Sequence, residues 1–194
     1  MLKKLTLLAL ALLLAAPAAF AASYQIDAAH TQIHFTVPHL VVFKVRGNFN
    51  DFVGTVEADA ASNSLSAAEA TIQVASIDTR NQKRDDHLRS ADFFDAANHP
   101  EMRFVSKKVE GSGANITVTG DLTIKGITKE VVLQGAFLGA ATDPWGNQRA
   151  GFEATGKINR RDFGLLWNKA LETGGMVVGD EIEIGLEVES VMKK

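Results

Sequence analysis

The chain has 194 residues with 20 basic and 23 acidic side chains, a net charge of −3, and no cysteine. The missing cysteines exclude disulfides, thiol catalysis and thiolate metal sites. The slightly acidic balance gives no electrostatic footprint for nucleic acid or for an anionic membrane surface.

The first 21 residues have the three parts of a cleavable secretory leader. Lys3 and Lys4 supply a positive start, an apolar run covers Leu5 to Ala16, and Ala19-Phe20-Ala21 offers small residues for cleavage. An uncleaved anchor is the weaker alternative, because the run is shorter than the ~20 residues that cross a bilayer. We therefore expect an exported protein, periplasmic in a Gram-negative source or fully secreted, with one mature domain over residues 22–194.

Period-two alternation dominates the mature chain and predicts about eight strands. The clearest runs are Ile116 to Ile124 and Ile182 to Val188, in which apolar residues alternate mostly with threonine or glutamate. The remaining predicted strands cover residues 32–37, 45–58, 70–77, 102–109, 130–139 and 151–158. A phase break between Phe49 and Phe52 predicts a bulge or sharp bend near Asn50-Asp51.

Turn residues separate these runs and favour antiparallel neighbours. The turns are predicted at Gly111-Ser112-Gly113, Lys125-Gly126, Asp143 to Asn147 and Gly174-Gly175. Alternation stops between Asp78 and Asn98, where Thr79-Arg80-Asn81-Gln82 matches a capping box and predicts a short helix over Lys83 to Arg89. Weaker patterns predict helical turns near residues 40–44 and 165–171.

Eight antiparallel strands can close into a barrel or stack as a sandwich, and closure has the advantage that it leaves no free edges. Several small residues fall on the inward-facing positions of the predicted strands. They either leave room for one small ligand or fit the taper of a packed barrel, and the periodicity leaves both readings open. These residues are Gly120, Gly135, Ala154 and Gly156.

Two sets of side chains are candidates for a chemical site. The histidines are His30, His34, His39, His87 and His99. On a strand His30 and His34 would lie ~13 Å apart, so no metal site is predicted. The cluster Arg84-Asp85-Asp86-His87 could hold a general acid or base, but it is interpreted as a solvated helix face in which Asp85 pairs with Arg89. No catalytic residue is predicted, since no nucleophile motif accompanies the cluster.

Short motifs follow one another in a specific order and spacing over essentially the whole mature chain. They are Tyr24-x-Ile26-Asp27 with His30, Ile33 and Phe35, then Gly47-x-Phe49-x-x-Phe52-x-Gly54, Arg84-Asp85-x-His87-Leu88-x-Ser90-x-Asp92-Phe93-Phe94-Asp95, Gly120-Asp121-Leu122-Thr123-Ile124-x-Gly126-x-Thr128, Asp143-Pro144-Trp145-Gly146, Arg149-Ala150-Gly151-Phe152, Ile158-Asn159-Arg160-x-Asp162-Phe163-Gly164, Trp167-Asn168 and Val178-Gly179-Asp180-Glu181. Together these motifs resemble the YceI family.

The resemblance implies an all-β fold, namely an extended eight-stranded antiparallel lipocalin-like β-barrel with a short helix at one end. It also implies an exported, non-enzymatic protein that carries or sequesters a polyisoprenoid or isoprenoid quinone in its lumen, with no other cofactor. The side chains predicted to bind the lipid were chosen by strand parity and by position near the helical segment. They are Phe35, Val37, Phe49, Phe52, Phe93, Phe94, Phe104, Ile124, Phe152 and Phe163.

Further expectations concern partners and alternatives. The helix and the segment Leu40 to Lys44 are expected to act as gates, with transient exchange of lipid with a membrane and no nucleic acid partner, while a homodimer is left open. One alternative is an envelope enzyme, a hydrolase or isomerase that uses Asp85, Asp86 and His87. The other is a stress-protective protein without a ligand.

Overall fold

A computed structural model describes residues 21–172 and 174–193. Apart from Ala21, the predicted leader lies outside the described residues. Eleven strands occur in the described part of the chain: β1 (Ala22–Ile26), β2 (Gln32–His39), β3 (Phe43–Phe49), β4 (Phe52–Asp59), β5 (Ser64–Gln73), β6 (Ile77–Asp78), β7 (Glu101–Ser112), β8 (Asn115–Ile124), β9 (Ile127–Thr142), β10 (Gln148–Asn159) and β11 (Glu181–Met192). One α-helix, α1 (Gln82–Arg89), and two short 3₁₀ turns, Val74–Ser76 and Arg160–Phe163, complete the fold.

The strands close into a single antiparallel barrel. The ring runs β1-β4-β5-β7-β8-β9-β10-β11, and β1 closes it by pairing with β11. Strands β2, β3 and β6 extend the same sheet from β11, because β11 pairs with β1 near its C-terminus and with β2 nearer its start. The predicted eight-stranded antiparallel barrel with one short helix is therefore confirmed.

Three neighbouring strands of the barrel are interrupted at the same height along the barrel axis. Each is therefore counted as two segments, which is why eleven strands form an eight-stranded barrel. Residues 27–31 separate β1 from β2, Asn50-Asp51 separate β3 from β4, and the turn Val74–Ser76 separates β5 from β6. Backbone bonds still cross this level, from Asn50 N–H to the Ser76 carbonyl at 3.3 Å and from Gln73 N–H to the Asp51 carbonyl at 2.9 Å. The bend predicted near Asn50-Asp51 is thus present, whereas the predicted strand over 70–77 ends at Gln73.

The helix forms close to where the sequence predicts it, but with a different cap. Asn81 is the N-cap, and its side chain accepts from the Arg84 N–H at 3.0 Å. Thr79, the first residue of the predicted capping box, instead donates its N–H and hydroxyl to the Asp85 carboxylate. The capping box was wrong because Asn81 is itself a strong cap, placed directly before the helix.

Both weaker helical predictions are wrong. Residues 40–42 are the turn of the β2–β3 hairpin, where Leu40 and Val41 have φ of 53° and 65°. Residues 165–169 are irregular, and Ala170 forms an isolated antiparallel bridge with Met176. In both places an apolar stretch was mistaken for the face of a helix.

The barrel has two ends. The helix end carries α1, the β2–β3 turn and residues 165–172 and 174–180; the far end carries the turns at residues 60–63, 113–114 and 143–147. The core forms two clusters, one around Phe49 and Phe163 toward the helix end and one around Phe137 and Phe152 toward the far end. Within the described ranges, no helix is long and apolar enough to span a membrane.

Candidate functional site

The inward faces of the strands enclose an apolar cavity of about 250 Å³. It is elongated, because alternate residues of a single strand line it from Ile182 to Val188. Those six steps correspond to roughly 20 Å at ~3.4 Å per residue. The cavity reaches from Leu65 and Val188 in the far half of the barrel to Phe94 and Val178 at the helix end.

Nine of the ten side chains predicted to bind the lipid line this cavity. They are Phe35, Val37, Phe49, Phe93, Phe94, Phe104, Ile124, Phe152 and Phe163. The tenth, Phe52, is not among the lining residues. It follows the bend at Asn50-Asp51 and lies buried in the same core cluster as Ile72 and Val74. Whether the nine contact a ligand stays a prediction.

Much of the cavity lining is aliphatic. The predicted lipid-binding residues are mainly aromatic and therefore do not include it. The inward residues of β11 from Ile182 to Val188 take part, as do the inward residues of β8 other than Gly120. The missed residues on these strands are Ile116, Val118, Leu122, Ile182, Ile184, Leu186 and Val188. The signal for them was present in the sequence, since these two strands have its cleanest alternation.

The three glycines among the small inward residues have close neighbours. Gly135 and Ala154 line the cavity. At Gly120 a Cβ would collide with the ring of Phe104, and at Gly156 with the side chain of Leu133, so large neighbours already cover these two glycines. At Gly135 a Cβ would likewise collide, with the Glu153 carbonyl oxygen, so all three glycines fit close neighbours even though Gly135 and Ala154 border the cavity.

Aromatic contacts connect the lumen to the closure of the helix end. Phe49 packs against Phe35 at a centroid distance of 5.7 Å and edge-on against Phe94 at 5.9 Å. Phe93 contacts His87 at 5.0 Å and Trp167 at 5.3 Å, and the His87 and Trp167 rings are 4.8 Å apart. We call His87, Phe93 and Trp167 the aromatic trio. It joins α1, the loop that follows it and the segment after β10.

Arg160 anchors the same closure from inside the protein. Its side chain is 3% exposed and borders the cavity. The guanidinium donates to the carbonyls of Gly179 (2.9 Å), Trp167 (3.0 Å) and Leu165, and to the Asp180 carboxylate at 2.9 Å. Burial lowers its pKa, although Asp180 opposes this effect. Almost all of its donors are used within the protein, so Arg160 ties the segment after β10 to the barrel.

The polar cluster on α1 does not converge on one site. Asp85 is buried and accepts from Thr79, whose hydroxyl and carbonyl in turn accept from Arg84 at 2.7 Å. The predicted Asp85–Arg89 pair is wrong: Arg89 pairs with Asp86 at 3.0 Å. The reason is that Asp85 points toward the barrel, where the Thr79 donors satisfy it.

The last member of that cluster, His87, points elsewhere. Its Nε2 lies 2.9 Å from the Asp92 carboxylate, and its ring belongs to the aromatic trio. The groups that an enzyme would need to act together therefore serve three separate contacts. Asp85 contacts Thr79 before α1, Asp86 contacts Arg89 within α1, and His87 contacts Asp92 after α1.

A second charged cluster lies toward the far end. Arg149 donates to Asp27 at 2.8 Å, to Asp143 at 2.9 Å and to Glu189. The hydrogen bond from Arg149, together with one from His30, lowers the pKa of Asp27 to about 2. Hydrogen bonds from Asn147 and Arg149 lower the pKa of Asp143, and the carboxylates raise the pKa of Arg149.

Asp27, His30 and Glu189 also bring potential metal-ligand atoms within 4.8 Å of one another. No local sequence pattern indicates this grouping, because Glu189 is far from the other two along the chain. Since Arg149 already donates to both carboxylates, the geometry favours an ion-pair network. An arginine in this position neutralises the charge that a cation would need.

Comparison with known proteins agrees with this architecture. The family model described as a YceI-like domain matches residues 24–190. The chain belongs to the YceI family. It is 46% identical over 168 residues to the UPF0312 protein plu2095 of Photorhabdus laumondii, covering 84% of this chain and 87% of that protein.

Among solved structures, the YceI family fold recurs at two levels of similarity. The YCEI protein of Campylobacter jejuni has a TM-score of 0.71 at 37% identity, and the match covers 81% of this chain and 90% of that protein's chain. A polyisoprenoid binding domain from Saccharophagus degradans has a TM-score of 0.66, with 89% of this chain and 99% of that domain covered. At 13% identity the latter similarity concerns the fold.

Proposed function

We propose that this YceI family member holds a long-chain isoprenoid lipid, a polyisoprenoid or an isoprenoid quinone, in its barrel and carries or sequesters it without catalysis. The observation that carries the proposal is the elongated apolar cavity between the two ends of the barrel. A narrow lumen of this length suits a hydrocarbon chain better than a compact ligand. The barrel of Saccharophagus degradans, described as polyisoprenoid-binding, lends support through its fold.

The polarity of the lumen limits the chemistry of the ligand. Within the described residues, every buried side-chain nitrogen or oxygen has a hydrogen-bond partner. Thr31 and Arg160, two polar residues of the lining, direct their donors into the protein, Thr31 to a carbonyl and Arg160 to three carbonyls and the Asp180 carboxylate. A buried polar head group would therefore lack partners, at a cost of about 1–3 kcal/mol per group. We expect the hydrocarbon to lie inside and the head group to remain near an end.

Hydrocarbon burial explains how such a protein would carry its ligand. Burial gains ~0.8 kcal/mol per methylene, or roughly 3 kcal/mol per five-carbon isoprene unit, before the costs of binding. Transfer between a bilayer and the lumen gains little, because both are apolar. The protein would thus exchange its ligand with membranes while shielding it from water. Export by the leader would place it in the periplasm or outside the cell.

The direct test is extraction of the protein purified from its own cells, followed by mass spectrometry. We expect about one isoprenoid lipid per barrel. Protein that is folded but yields no lipid, or yields only lipids of another class, would contradict the proposal. Turnover of a substrate that is lost in Asp86→Asn and His87→Ala variants with lipid retained would contradict the non-enzymatic part.

A charge placed in the lumen tests which residues hold the lipid. Phe94→Asp and Phe152→Asp should each reduce lipid occupancy at least tenfold, because a carboxylate in the cavity must be hydrated or protonated. Leu138→Asp is the matched control, since Leu138 lies next to Phe137 on β9 but is 62% exposed on the outer face. Circular dichroism checks the fold. A folded Phe152→Asp variant with full occupancy would remove Phe152 from the site.

A further inference from the structure

We propose that the tip of the β2–β3 hairpin, Leu40–Phe43, inserts into the surface of a lipid bilayer and docks the barrel there. The proposal rests on the proposed function for its purpose, since it gives the barrel a route to its ligand. It names the membrane itself as the partner. The contact is hydrophobic and is made through a defined part of the helix end, which we call the apolar tip.

The apolar tip exposes four consecutive hydrophobic side chains. Their exposed fractions are 40% for Leu40, 72% for Val41, 86% for Val42 and 68% for Phe43. Contiguous apolar patches larger than about a few hundred Å² are rare on soluble monomers and mark protein or membrane contacts. Leu166 and Met176, at 57% and 53% exposure, add apolar surface on the segment that follows β10 at the same end of the barrel.

The backbone at the apolar tip shows that these residues are poorly suited to the turn itself. Leu40 and Val41 adopt positive φ angles, where glycine or asparagine is far more favourable and a β-branched residue is strained. A turn selected for folding alone would use such residues. The sequence keeps leucine and valine there, which points to a role for the side chains outside the protein.

The apolar tip is attached to the cavity on both of its sides. Val37, which lines the cavity, precedes Leu40 on β2. The Leu40 N–H donates to the Val177 carbonyl at 2.9 Å, and His39 bridges to Val178, which also lines the cavity. Docking through the apolar tip would therefore bring the helix end of the lumen against the bilayer, where a lipid could pass between them.

Charges beside the apolar tip favour a hydrophobic contact over an electrostatic one. Lys44, the first residue after the tip, pairs with Glu183 at 2.9 Å. Lys157 pairs in the same way with Glu181 at 2.8 Å, on the same outer surface. Arg46 also acts on Glu183 and adds one positive charge, so three cations and two anions lie here and the net attraction to anionic lipids is small. Docking should therefore occur on zwitterionic bilayers and depend little on salt, unlike docking through a basic patch.

The size of the patch favours a bilayer over a second copy of the chain. Stable protein interfaces involve about 20–30 residues on each side. The apolar tip has four residues and its apolar neighbours add two. A narrow protruding turn offers little area to a rigid partner, but a fluid bilayer can surround it on all sides.

The test is flotation with phosphatidylcholine vesicles, using the protein at 50 and 500 mM salt. We expect the wild-type protein to float at both salt concentrations and the Val41→Asp, Val42→Asp double variant to lose at least tenfold in partitioning. Val53→Asp is the matched control, because Val53 is 60% exposed on β4 away from the tip, and this variant should float like the wild type. A double variant that floats like the wild type would overturn the proposal.

Two further measurements separate the outcomes. A wild-type dimer that the double variant converts to a monomer, without vesicle binding by either protein, would overturn docking and assign the apolar tip to self-association. Lipid extraction of the same samples tests the proposed function independently. Wild-type protein that carries lipid but never floats would overturn docking alone, whereas protein that floats but carries no lipid would support docking and contradict the proposed function.

Discussion

The helix end and the far end of the barrel are each stabilised by an arginine, but in opposite ways. Arg160 at the helix end is buried and bonds mostly to backbone carbonyls, with a single carboxylate. Arg149 toward the far end lies nearer the surface and bonds to three carboxylates. Burial lowers the pKa of Arg160, whereas the carboxylates raise that of Arg149.

This difference separates two structural tasks. The three acids of the Arg149 network come from the β1–β2 connection, the β9–β10 turn and β11, so the arginine fastens strand ends to one another. Arg160 instead holds the segment that follows β10 at the helix end, through the carbonyls of Leu165, Trp167 and Gly179. The far end is built as a fixed closure, and the helix end as a closure whose loops depend on one buried side chain and on the aromatic trio.

The largest effect is expected at Arg160. Arg160→Met should lower the free energy of unfolding by about 3 kcal/mol, because it leaves buried carbonyls and Asp180 without their donor. Urea unfolding measures this, and the exposed neighbour Arg161 provides the control variant Arg161→Met. Equal stability of the two variants would mean that the helix end does not depend on the buried guanidinium.

The next largest effect is expected in acid, where the Arg149 network should lose its contribution to the free energy of unfolding. Because the pKa of Asp27 is lowered to about 2, its contribution is fully present above pH 4 and is lost as the pH falls toward 2. The expected loss from Asp27 is about 1–2 kcal/mol after screening by solvent. Arg149→Gln should remove most of this dependence, and Arg103→Gln, which affects only an exposed pair with Glu69, should not. If the two variants lost the same stability between pH 4 and pH 2, the dependence would not come from the Arg149 network.

The two tryptophans offer the smallest and most specific comparison. Trp167→Ala removes part of the aromatic trio and should speed the transfer of bound lipid to vesicles severalfold, at a cost in stability of 2 kcal/mol or less, on the order expected for a half-buried aromatic pair. Trp145, 81% exposed in the β9–β10 turn at the far end, is the control. Faster lipid transfer in Trp145→Ala than in Trp167→Ala would contradict lipid exit at the helix end and would place it at the far end.

The barrel could be predicted from the sequence because each long strand has one buried apolar face and one solvent-exposed face. Runs such as Ile116 to Ile124 show that alternation directly, and their inward residues do line the cavity. The short strands β1 and β6 were missed because two to five residues give no readable period. The apolar tip was mistaken for a helical turn, since exposed hydrophobic residues break the rule on which the prediction depends.

Charged contacts were harder to predict than strands. Asp85 was expected on a solvated face, yet it is buried because Thr79 supplies two donors from the preceding turn. The Arg149 to Asp27 contact joins residues 122 positions apart, beyond any local pattern. Phe52 has the correct parity for the lumen, but the bend before it places the ring in the core, and parity carries no information about depth.

The interruption of three adjacent strands at one level divides the barrel wall into unequal parts. Strands β7 to β11 each run between the ends as one segment, and their ladders contain register shifts between Ser106 and Lys108 and between Gly151 and Phe152. Segments β2, β3 and β6, together with α1, are joined to the rest of the wall through β11 on one side and only a few bonds across the break. Because few bonds cross the break, we expect these segments to open locally at a lower free-energy cost than the remaining wall, which amide hydrogen exchange would measure. A chain longer than the lumen could therefore be admitted sideways, through a seam in the wall, without being threaded from one end.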